Sequence, residues 1–303
     1  MPTLKFATTC NLAGDLGAPA QIEALGYDGI WAGDHVMNGR PMVDCLTGLA
    51  AVAALTRRVD LITSVLLLPL RHPVPVAKAL TTIDHLSKGR LIVGVGVGGE
   101  YPEEWQASGV PLNERGPRCN EGLELLRRVW TEDGVTHTAR FYPVRDVTLV
   151  PRPYQRPHPP IWVGGRREAS QRRAARFASG WVPYLITPEH YREGLGNIQR
   201  YAQEYGRALD MASFTKAILL FVAMTDVGGY DPDKDPTRPD RKRGDRYYII
   251  GDTAYCVHRF LEYAKAGVEY FTMAWVSEPG QGPAQVRHFA EKVIPALRAA
   301  SGT

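Results

Sequence analysis

The fold is decided by one stretch of the sequence, residues 59–96, which reads VDLITSVLLLPLRHPVPVAKALTTIDHLSKGRLIVGVG. Its first part, Val59 to Val65, and its last part, Arg90 to Gly96, are short apolar runs that predict strands. Between them, Pro75 to Leu86 predicts an amphipathic helix with proline at its start. Strands that are apolar on both faces and alternate with helices are typical of a parallel sheet covered by helices.

The same strand-and-helix unit recurs along the whole chain. Before this stretch, apolar runs at Leu4 to Thr9 and Asp28 to Ala32 predict two strands, each followed by a helix. Later units predict four more strands, at Pro160 to Gly164, Gly180 to Pro183, Phe214 to Met224 and Val268 to Met273. The chain of 303 residues is close to the roughly 250 residues of a TIM barrel, with room for insertions. We therefore expect a single (β/α)8 TIM-barrel domain over residues 1–303.

Three segments interrupt this alternation of strands and helices. Val97 to Pro117 follows strand four and Asp226 to Arg246 follows strand seven, so both insertions are expected at the catalytic end of the barrel. Gly134 to Pro159 predicts a small hairpin. An open doubly wound sheet is the structural alternative, but it usually has fewer strands and a glycine-rich fingerprint after the first strand. Here the first strand leads into TTCNLAGD, residues 8–15, which lacks that fingerprint.

Composition and motifs disfavour several classes of function. The net charge is only +4 and the basic residues are scattered, so charge does not suggest a nucleic-acid partner. The cysteines are far apart without CxxC spacing, which disfavours disulfides and zinc and fits a reducing cytoplasm. An export signal and a long apolar run are both missing, so we expect a cytoplasmic protein without membrane contact. Neither GxSxG nor HExxH occurs, which disfavours hydrolases and metalloenzymes.

Asp34 and His35 follow the second predicted strand, in DGIWAGDHV at residues 28–36. A histidine at the carboxyl end of a barrel strand is well placed to act as a general acid or base. Asp34 could hold the tautomer of that histidine or supply charge. The alternative is a capping aspartate beside a packed histidine in the turn.

Glycines mark the ends of the fourth and fifth strands. GVGVGGE at residues 94–100 would let a ligand plane or a backbone approach closely, and it is not a phosphate loop because no Lys-Ser or Lys-Thr pair follows. Glu100 could act there, or could simply begin a solvated helix. Gly164 to Arg166 precede a helix, so they predict an anion site, with a plain turn as the alternative.

Taken together, these pieces resemble the bacterial-luciferase-like superfamily of flavin and deazaflavin oxidoreductases, and most closely its coenzyme F420-dependent branch. The resemblance covers nearly the whole chain and is carried by the combination of its motifs. They are LGYDGIWAGDHV at residues 25–36, DHLSKGRLIVGVGVGGEYPEEWQASGVP at 84–111, PIWVGGRREASQRRAARFASGW at 160–181 and IIGDTAYCVHRFLEYAKAGVEYF at 249–271.

The resemblance implies a TIM barrel with the cofactor ring at its carboxyl end, and it assigns roles to particular residues. His35 would lie near the reactive carbon of the ring, with Asp34 beside it and Glu100 as a further catalytic candidate. A non-prolyl cis peptide between Ser64 and Val65 would back the ring. The cofactor-binding residues implied are Ser64, Val65, Gly96, Val97, Gly98, Gly164, Gly165 and Arg166, the last three at the phosphate.

The reaction implied is hydride transfer between C5 of the deazaflavin and a small organic substrate. One departure matters: some deazaflavin dehydrogenases of this family carry a catalytic glutamate at the position of Gly99, and here Glu100 comes one residue later. This weakens a sugar-phosphate dehydrogenase and leaves a reductase of a C=C or C=N bond as well supported. The alternatives are a reduced-FMN monooxygenase that uses O2 and a non-catalytic flavin-binding barrel.

Two further expectations concern the surface. The basic residues of the insertion after strand seven could form a lid that attracts the anionic tail of the cofactor; they are Arg238, Arg241, Lys242, Arg243 and Arg246. The family also implies a homodimer, to which Val43 to Leu55 and Val76 to Leu86 are apolar enough to contribute. The alternative is that these two helices simply cover the barrel.

Overall fold

A closed barrel of eight parallel strands forms the centre of the computed structural model, which describes residues 3–39, 41–228, 247–276 and 280–302. The strands are β1 Lys5–Thr8, β2 Gly29–Ala32, β3 Asp60–Leu67, β4 Leu91–Gly96, β7 Ile161–Gly164, β8 Gly180–Val182, β9 Thr215–Met224 and β11 Tyr270–Trp275. They lie side by side in that order, β8 pairs with β9, and the barrel closes because β11 pairs with both β9 and β1. The predicted TIM barrel is confirmed.

In the part of the chain that the structure describes, three strands lie outside the barrel. The hairpin predicted after strand four is confirmed as the antiparallel pair β5 Val135–His137 and β6 Val144–Val147. β10, Tyr248–Gly251, extends the sheet by pairing parallel with β9, and the sequence did not predict it. The predicted basic lid falls within residues 229–246, which lie outside the described residues.

Helices cover the barrel on its outside. They are α1 Ala18–Ala24, α2 Cys45–Leu55, α3 Pro73–Ser87, α4 Pro102–Ala107, α5 Arg115–Thr131, α6 Glu168–Phe177, α7 Pro188–Glu204, α8 Thr253–Lys265, α9 Gly282–His288 and α10 Ile294–Ser301. Side-chain oxygens cap several helices: Asp44, Thr187 and Asp252 each accept the N–H three residues on, which satisfies an otherwise unpaired donor. No described helix is long and apolar enough to cross a membrane.

The core has two layers. The larger one lies between the strands and the surrounding helices. The smaller one fills the barrel interior and consists of Ala7, Ile62, Trp162, Val182, Ala217 and Tyr270, with Trp31, Val65, Ile92 and Leu219 packed against it while remaining partly exposed. The interior is thus a packed core, as is usual for such barrels, and a ligand can enter only at its ends.

Candidate active site

The carboxyl ends of the barrel strands collect the residues that the sequence singled out. His35 follows β2, Ser64 and Val65 lie within β3, and Gly96 and Gly164 end β4 and β7. Because all barrel strands run in the same direction, these ends meet at one face of the barrel. The structure therefore brings these residues to one site, although it does not give each of them the expected contact.

The bond between Ser64 and Val65 is a non-prolyl cis peptide, as the resemblance implied. The pairing of β3 with β4 shifts register between Thr63 and Leu66, on either side of it. The side chain of Val65 is directed at two glycines: a methyl group on Gly96 would overlap Val65 Cγ2, and one on Gly164 would lie 2.7 Å from Cγ1.

The two glycines have the same neighbour. The sequence predicted that Gly96 lets a ligand plane or a backbone approach closely and that Gly164 belongs to an anion site; in the structure the side chain of Val65 occupies the space beside both. A Cβ atom at either position would compete with a branched side chain whose rotamers are few. The two glycines therefore allow Val65 to occupy its place at the top of the barrel interior.

Val65 and its neighbours form a largely apolar floor, beside which lies the hydroxyl group of Ser64. Val65 is partly exposed, and Trp31 and Leu219 belong to the same interior cluster. The Ser64 hydroxyl is buried and has no hydrogen-bond partner among the described residues. Buried polar groups usually have a partner, so an unsatisfied hydroxyl beside an apolar floor fits a flat heteroaromatic ring that carries polar edge atoms.

His35 pairs with Glu104, a residue that the sequence analysis missed. The ring Nδ1 of His35 lies 2.9 Å from Glu104 Oε1, and the same oxygen accepts the backbone N–H of Met37 at 3.3 Å. Glu104 is only 1% exposed, whereas the His35 side chain is 26% exposed. The ring of Tyr101 stands edge-on to that of His35, with centroids 5.1 Å apart.

Asp34 does not serve as the partner of His35, which corrects the role predicted for it. Its two oxygens accept the guanidinium of Arg71 at 2.5 and 2.8 Å, and one of them also accepts the backbone N–H of Leu67 at 2.8 Å. Arg71 also reaches Asp44, the N-cap of α2, at 3.2 Å. Asp34 therefore ties the loop after β2 to the end of β3, and its effect on His35 is indirect.

Glu100 belongs to a second cluster at the same face, beside β8. The hydroxyl of Tyr184 donates to Glu100 Oε1 at 2.5 Å. Burial and, next in size, the hydrogen bond to Glu100 together raise the pKa of Tyr184 to about 12. The guanidinium of Arg166 lies 5.4 Å from the centre of the Tyr184 ring. Glu100 is thus placed with the phosphate-site candidate Arg166.

The backbone conformation of the loop after β4 disfavours a glutamate at position 99. Gly98 has φ 55° and Gly99 has φ 116°. Residues other than glycine rarely adopt the backbone conformation of Gly99. A methyl group on Gly99 would also lie 3.2 Å from Arg115 Nε. The neighbouring Val97 is partly buried against the outer core. In this loop a glutamate could stand at position 99 only if the backbone changed.

The start of α6 is where the sequence predicts an anion site. Gly165 has φ 96°, and the N-cap Arg167 makes no side-chain cap, so the first N–H groups of the helix remain available to an anion. Arg166 is exposed there. A cavity of about 430 Å³ opens beside it, between α6 and α7, and is lined by Arg166, Glu168, Gln171, Leu185, Ile186, His190, Glu193, Gly194, Asn197, Tyr201 and Tyr247.

The described residues offer no candidate metal site. They contain no group of three or more histidine, cysteine or carboxylate side chains that could hold a metal ion. The four cysteines are free thiols. The groups at the site are instead suited to binding an organic cofactor: an apolar floor, an unsatisfied hydroxyl, an anion site and a histidine with a fixed partner.

Comparison with known proteins places the chain among flavin- and deazaflavin-related proteins. The family model described as luciferase-like monooxygenase matches residues 16–227. An F420-dependent glucose-6-phosphate dehydrogenase of Microbacterium testaceum is 27% identical over 314 residues, covering 91% of this chain and 90% of that protein. An F420-dependent secondary alcohol dehydrogenase, solved with an F420-acetone adduct, has the same fold, with TM-score 0.84, 18% identity and coverage of 98% and 99% of the two chains.

A further relative is more similar over a shorter stretch. An uncharacterized protein of Mycobacterium tuberculosis is 34% identical over 171 residues, which cover 56% of this chain and 58% of that protein. The chain thus spans little more than half the length of this relative in the match. The F420-dependent relative is less similar, but its match extends over almost all of both chains.

Proposed function

Because the chain belongs to the luciferase-like monooxygenase family, we propose that it is an oxidoreductase that uses a deazaflavin or flavin cofactor, and specifically coenzyme F420. The proposed reaction is hydride transfer between C5 of the deazaflavin and a small organic substrate, with reduction of a C=C or C=N bond as the leading case. Support for F420 comes from the relative that matches over most of the chain and is named as F420-dependent.

The residues at the site would hold the cofactor in two places. Val65 and Trp31 would support the ring from below, and Ser64 would offer its unpaired hydroxyl to a polar edge atom. Arg166 and the first N–H groups of α6 would bind the phosphate. When bound, the deazaflavin would supply or accept the hydride, and the protein would orient it and exclude competing reactions.

His35 would transfer the proton that accompanies the hydride. The observation that carries the proposal is the position of His35 at the same end of the barrel as the floor formed around Val65. In a reduction, one atom of the double bond takes the hydride and the other takes a proton from His35, which regains a proton from solvent. A general acid placed in this way typically contributes roughly 10²- to 10⁴-fold in rate.

The mouth of the site favours an uncharged, apolar substrate. Large apolar side chains are exposed on the loops after β1 and β2: Leu16, Val36, Met37, Met42 and Val43. A methyl group on Gly33 would lie 3.5 Å from Met42 Cε and 4.0 Å from the Ser64 carbonyl oxygen, so Met42 reaches the surroundings of the cis peptide. Exposed apolar groups clustered around a site usually mark a ligand surface.

The second candidate is a reduced-FMN monooxygenase that uses O2. It is favoured by the description of the matching family, luciferase-like monooxygenase, and it would use the same floor and phosphate site. The two candidates differ in the cofactor that binds and in whether O2 is consumed with the substrate.

A cofactor titration separates these candidates. Purified protein is titrated with oxidised F420 and with FMN while the quenching of cofactor fluorescence is followed. We expect F420 to bind more tightly, and reduced F420 to be reoxidised by a conjugated apolar alkene or imine under anaerobic conditions. Tighter binding of FMN together with substrate-dependent O2 uptake would favour the monooxygenase, and binding without any turnover would favour a non-catalytic flavin-binding barrel.

The role of His35 is tested in the same assay. We expect His35→Ala to lower kcat by roughly 10²- to 10⁴-fold while the cofactor Kd is retained. His258→Ala is the matched control, because His258 is 71% exposed on α8. Equal rates for the wild type and His35→Ala would remove His35 from the mechanism.

We also propose that two copies of the chain form a homodimer through the side of the barrel that carries α2 and α3. Leu55 and Leu86, at the ends of these helices, are exposed. Sedimentation velocity is the direct measurement, and a species with the mass of one 33.5 kDa chain at micromolar concentration would contradict the proposal.

A further inference from the structure

Glu104 is a carboxylate buried without a cationic side chain of its own. It is 1% exposed, and in the part of the chain that the structure describes no lysine or arginine pairs with it; its ion-pair partner is His35. A buried carboxylate requires hydrogen-bond donors. Glu104 Oε1 accepts the backbone N–H of Met37 and lies 2.9 Å from the ring Nδ1 of His35.

The hydrogen bond between His35 Nδ1 and Glu104 determines which ring nitrogen of His35 carries a proton. A neutral histidine carries its hydrogen on one ring nitrogen only, and the hydrogen bond made by one nitrogen sets the state of the other. A carboxylate only accepts hydrogen bonds, so His35 donates from Nδ1 whenever this contact is made to the carboxylate form of Glu104. Nε2 is then the nitrogen that carries the lone pair in the neutral ring and a second proton in the charged ring.

The orientation of the ring is also restricted. Tyr101 stands edge-on to His35 at an interplanar angle of 86°, and Tyr101 and Glu104 lie three residues apart, at the N-cap and within the first turn of α4. One short segment therefore contacts the ring through Tyr101 and meets its Nδ1 through Glu104. The His35 side chain remains 26% exposed, so part of the ring is accessible.

We propose that Glu104 is a positioning residue that fixes His35 as the Nδ1–H tautomer and directs Nε2 to the substrate. This inference rests on the proposed function, since it concerns the proton that accompanies hydride transfer. In the reducing direction, the charged ring, protonated on both nitrogens, gives its Nε2 proton to one atom of the double bond. The electron pair of that bond forms the new bond to this proton, the other atom takes the hydride, and the ring is left as the neutral Nδ1–H tautomer. In the reverse direction, the Nε2 lone pair takes the proton.

The tautomer can be read directly in the cofactor-free enzyme. Protein labelled with 15N at histidine is observed through two-bond 15N–1H correlations, and the His35 signals are assigned by their loss in His35→Gln. We expect the wild type to show the pattern of the Nδ1–H tautomer. The Nε2–H pattern in the wild type would overturn the inference, whatever the reaction is.

Two variants on α4 complete the test. In Glu104→Gln the amide can donate as well as accept, so we expect a mixture of tautomers and a kcat roughly 10- to 100-fold lower, the size usual for losing a group that orients a functional histidine, with the cofactor Kd retained. Glu103→Gln, on the exposed side of the same helix, should leave both readouts unchanged. A pure Nδ1–H tautomer with full kcat in Glu104→Gln would reject the inference.

The two proposals fail in different ways. If neither reduced F420 nor reduced FMN is turned over, the proposed function fails, and the wild-type tautomer still decides whether Glu104 sets the state of His35. If turnover is found but His35 has the Nε2–H pattern, the proposed function stands and the inference about Glu104 fails. The wild-type spectrum remains decisive even if Glu104→Gln does not fold.

Discussion

Asp34 is adjacent to His35 in the sequence, but the structure assigns the two residues different tasks. Adjacency predicted that the aspartate would support the histidine. The guanidinium of Arg71, which is 37 residues away in the chain, instead takes both oxygens of the carboxylate. Glu104, which supports His35, is separated from it by 69 residues. Sequence spacing reveals partners only within one element, and these partners meet because different loops cover one face of the barrel.

Removal of the Asp34 carboxylate should therefore affect stability more than chemistry. Asp34 is 3% exposed, and breaking a buried ion pair from one side typically costs about 3–5 kcal/mol. We expect Asp34→Ala to lower the free energy of unfolding by that amount, measured by urea denaturation. At temperatures where the variant is folded, kcat should fall far less than in His35→Ala.

Asp44 provides the matched control for this prediction. It also contacts Arg71, but it is exposed and caps α2, so Asp44→Ala should cost about 1 kcal/mol, as is usual for the loss of an N-cap. Equal losses for the two variants would mean that the Asp34–Arg71 pair is not a buried structural link.

Gly96 tests the fit between the glycines and Val65. In Gly96→Ala the new methyl group would overlap Val65 Cγ2, and overpacking of a core typically costs about 1–3 kcal/mol. We expect a lower free energy of unfolding and weaker cofactor binding, because Val65 must move from the floor of the site. Thermal denaturation and the cofactor titration measure the two effects.

Gly196→Ala is the control for the same chemical change. Gly196 lies within α7 and a methyl group there meets nothing within 4 Å, so this variant should gain about 0.5–1 kcal/mol of stability. If Val65 causes the defect, Val65→Ala should recover part of the loss in the Gly96→Ala background. A Gly96→Ala variant as stable as Gly196→Ala would contradict the proposed contact.

Among the elements, strands were easier to predict than the short structures at the carboxyl face. Each barrel strand is a run of apolar residues bounded by turns, and that pattern is visible in the sequence. α4 has only six residues and falls within a segment predicted as a loop. β10 has four residues, and its identity as a strand depends on pairing with β9, where Tyr248 stacks on Phe221 at 4.9 Å. Local patterns do not encode such pairings.

The start of α6 should bind phosphate through Arg166. We expect Arg166→Gln to weaken the binding of a phosphate-bearing cofactor by roughly 10- to 100-fold, the loss expected for a hydrogen bond to a charged group. Binding of the phosphate-free counterpart, such as riboflavin in place of FMN, should not change. The fluorescence titration measures all four affinities.

Arg176→Gln, in the last turn of the same helix, is the control. Arg176 is half exposed and pairs with Glu124 at 3.5 Å, so its loss changes the charge of α6 by the same amount at the end away from the site. If both variants weaken phosphate-bearing and phosphate-free cofactors alike, general charge rather than a phosphate site explains the effect.

At the scale of the whole molecule, the barrel could be predicted from strand counting, and its active end from the direction of the strands. The chain folds as predicted because each unit is locally consistent: an apolar run, a turn, and a helix with one buried face. The fine structure of the site could not be predicted in the same way. Val65, Gly96 and Gly164 come from three strands, and their contact exists only once the barrel has closed.

Closure between the first and last barrel strands should depend on Phe289. This side chain is fully buried, and its ring lies 5.9 Å from that of Phe6 on β1, 5.1 Å from Phe260 on α8 and 5.6 Å from Trp275 on β11. It lies in the π-helical turn that joins α9 and α10, so the C-terminal helices pack on the seam between β11 and β1 through this residue.

Phe289→Ala should therefore cost about 3–5 kcal/mol in the free energy of unfolding, as is usual for the loss of a buried aromatic side chain. Chemical denaturation followed by circular dichroism measures the loss, and Phe289→Leu should recover part of it because the leucine fills part of the cavity. Phe141→Ala is the control. Phe141 lies in the segment between β5 and β6, is partly exposed, and its ring is covered by the guanidinium groups of Arg118 and Arg140. If both alanine variants lower the free energy of unfolding by the same small amount, packing of the C-terminal helices does not stabilise the contact between β11 and β1.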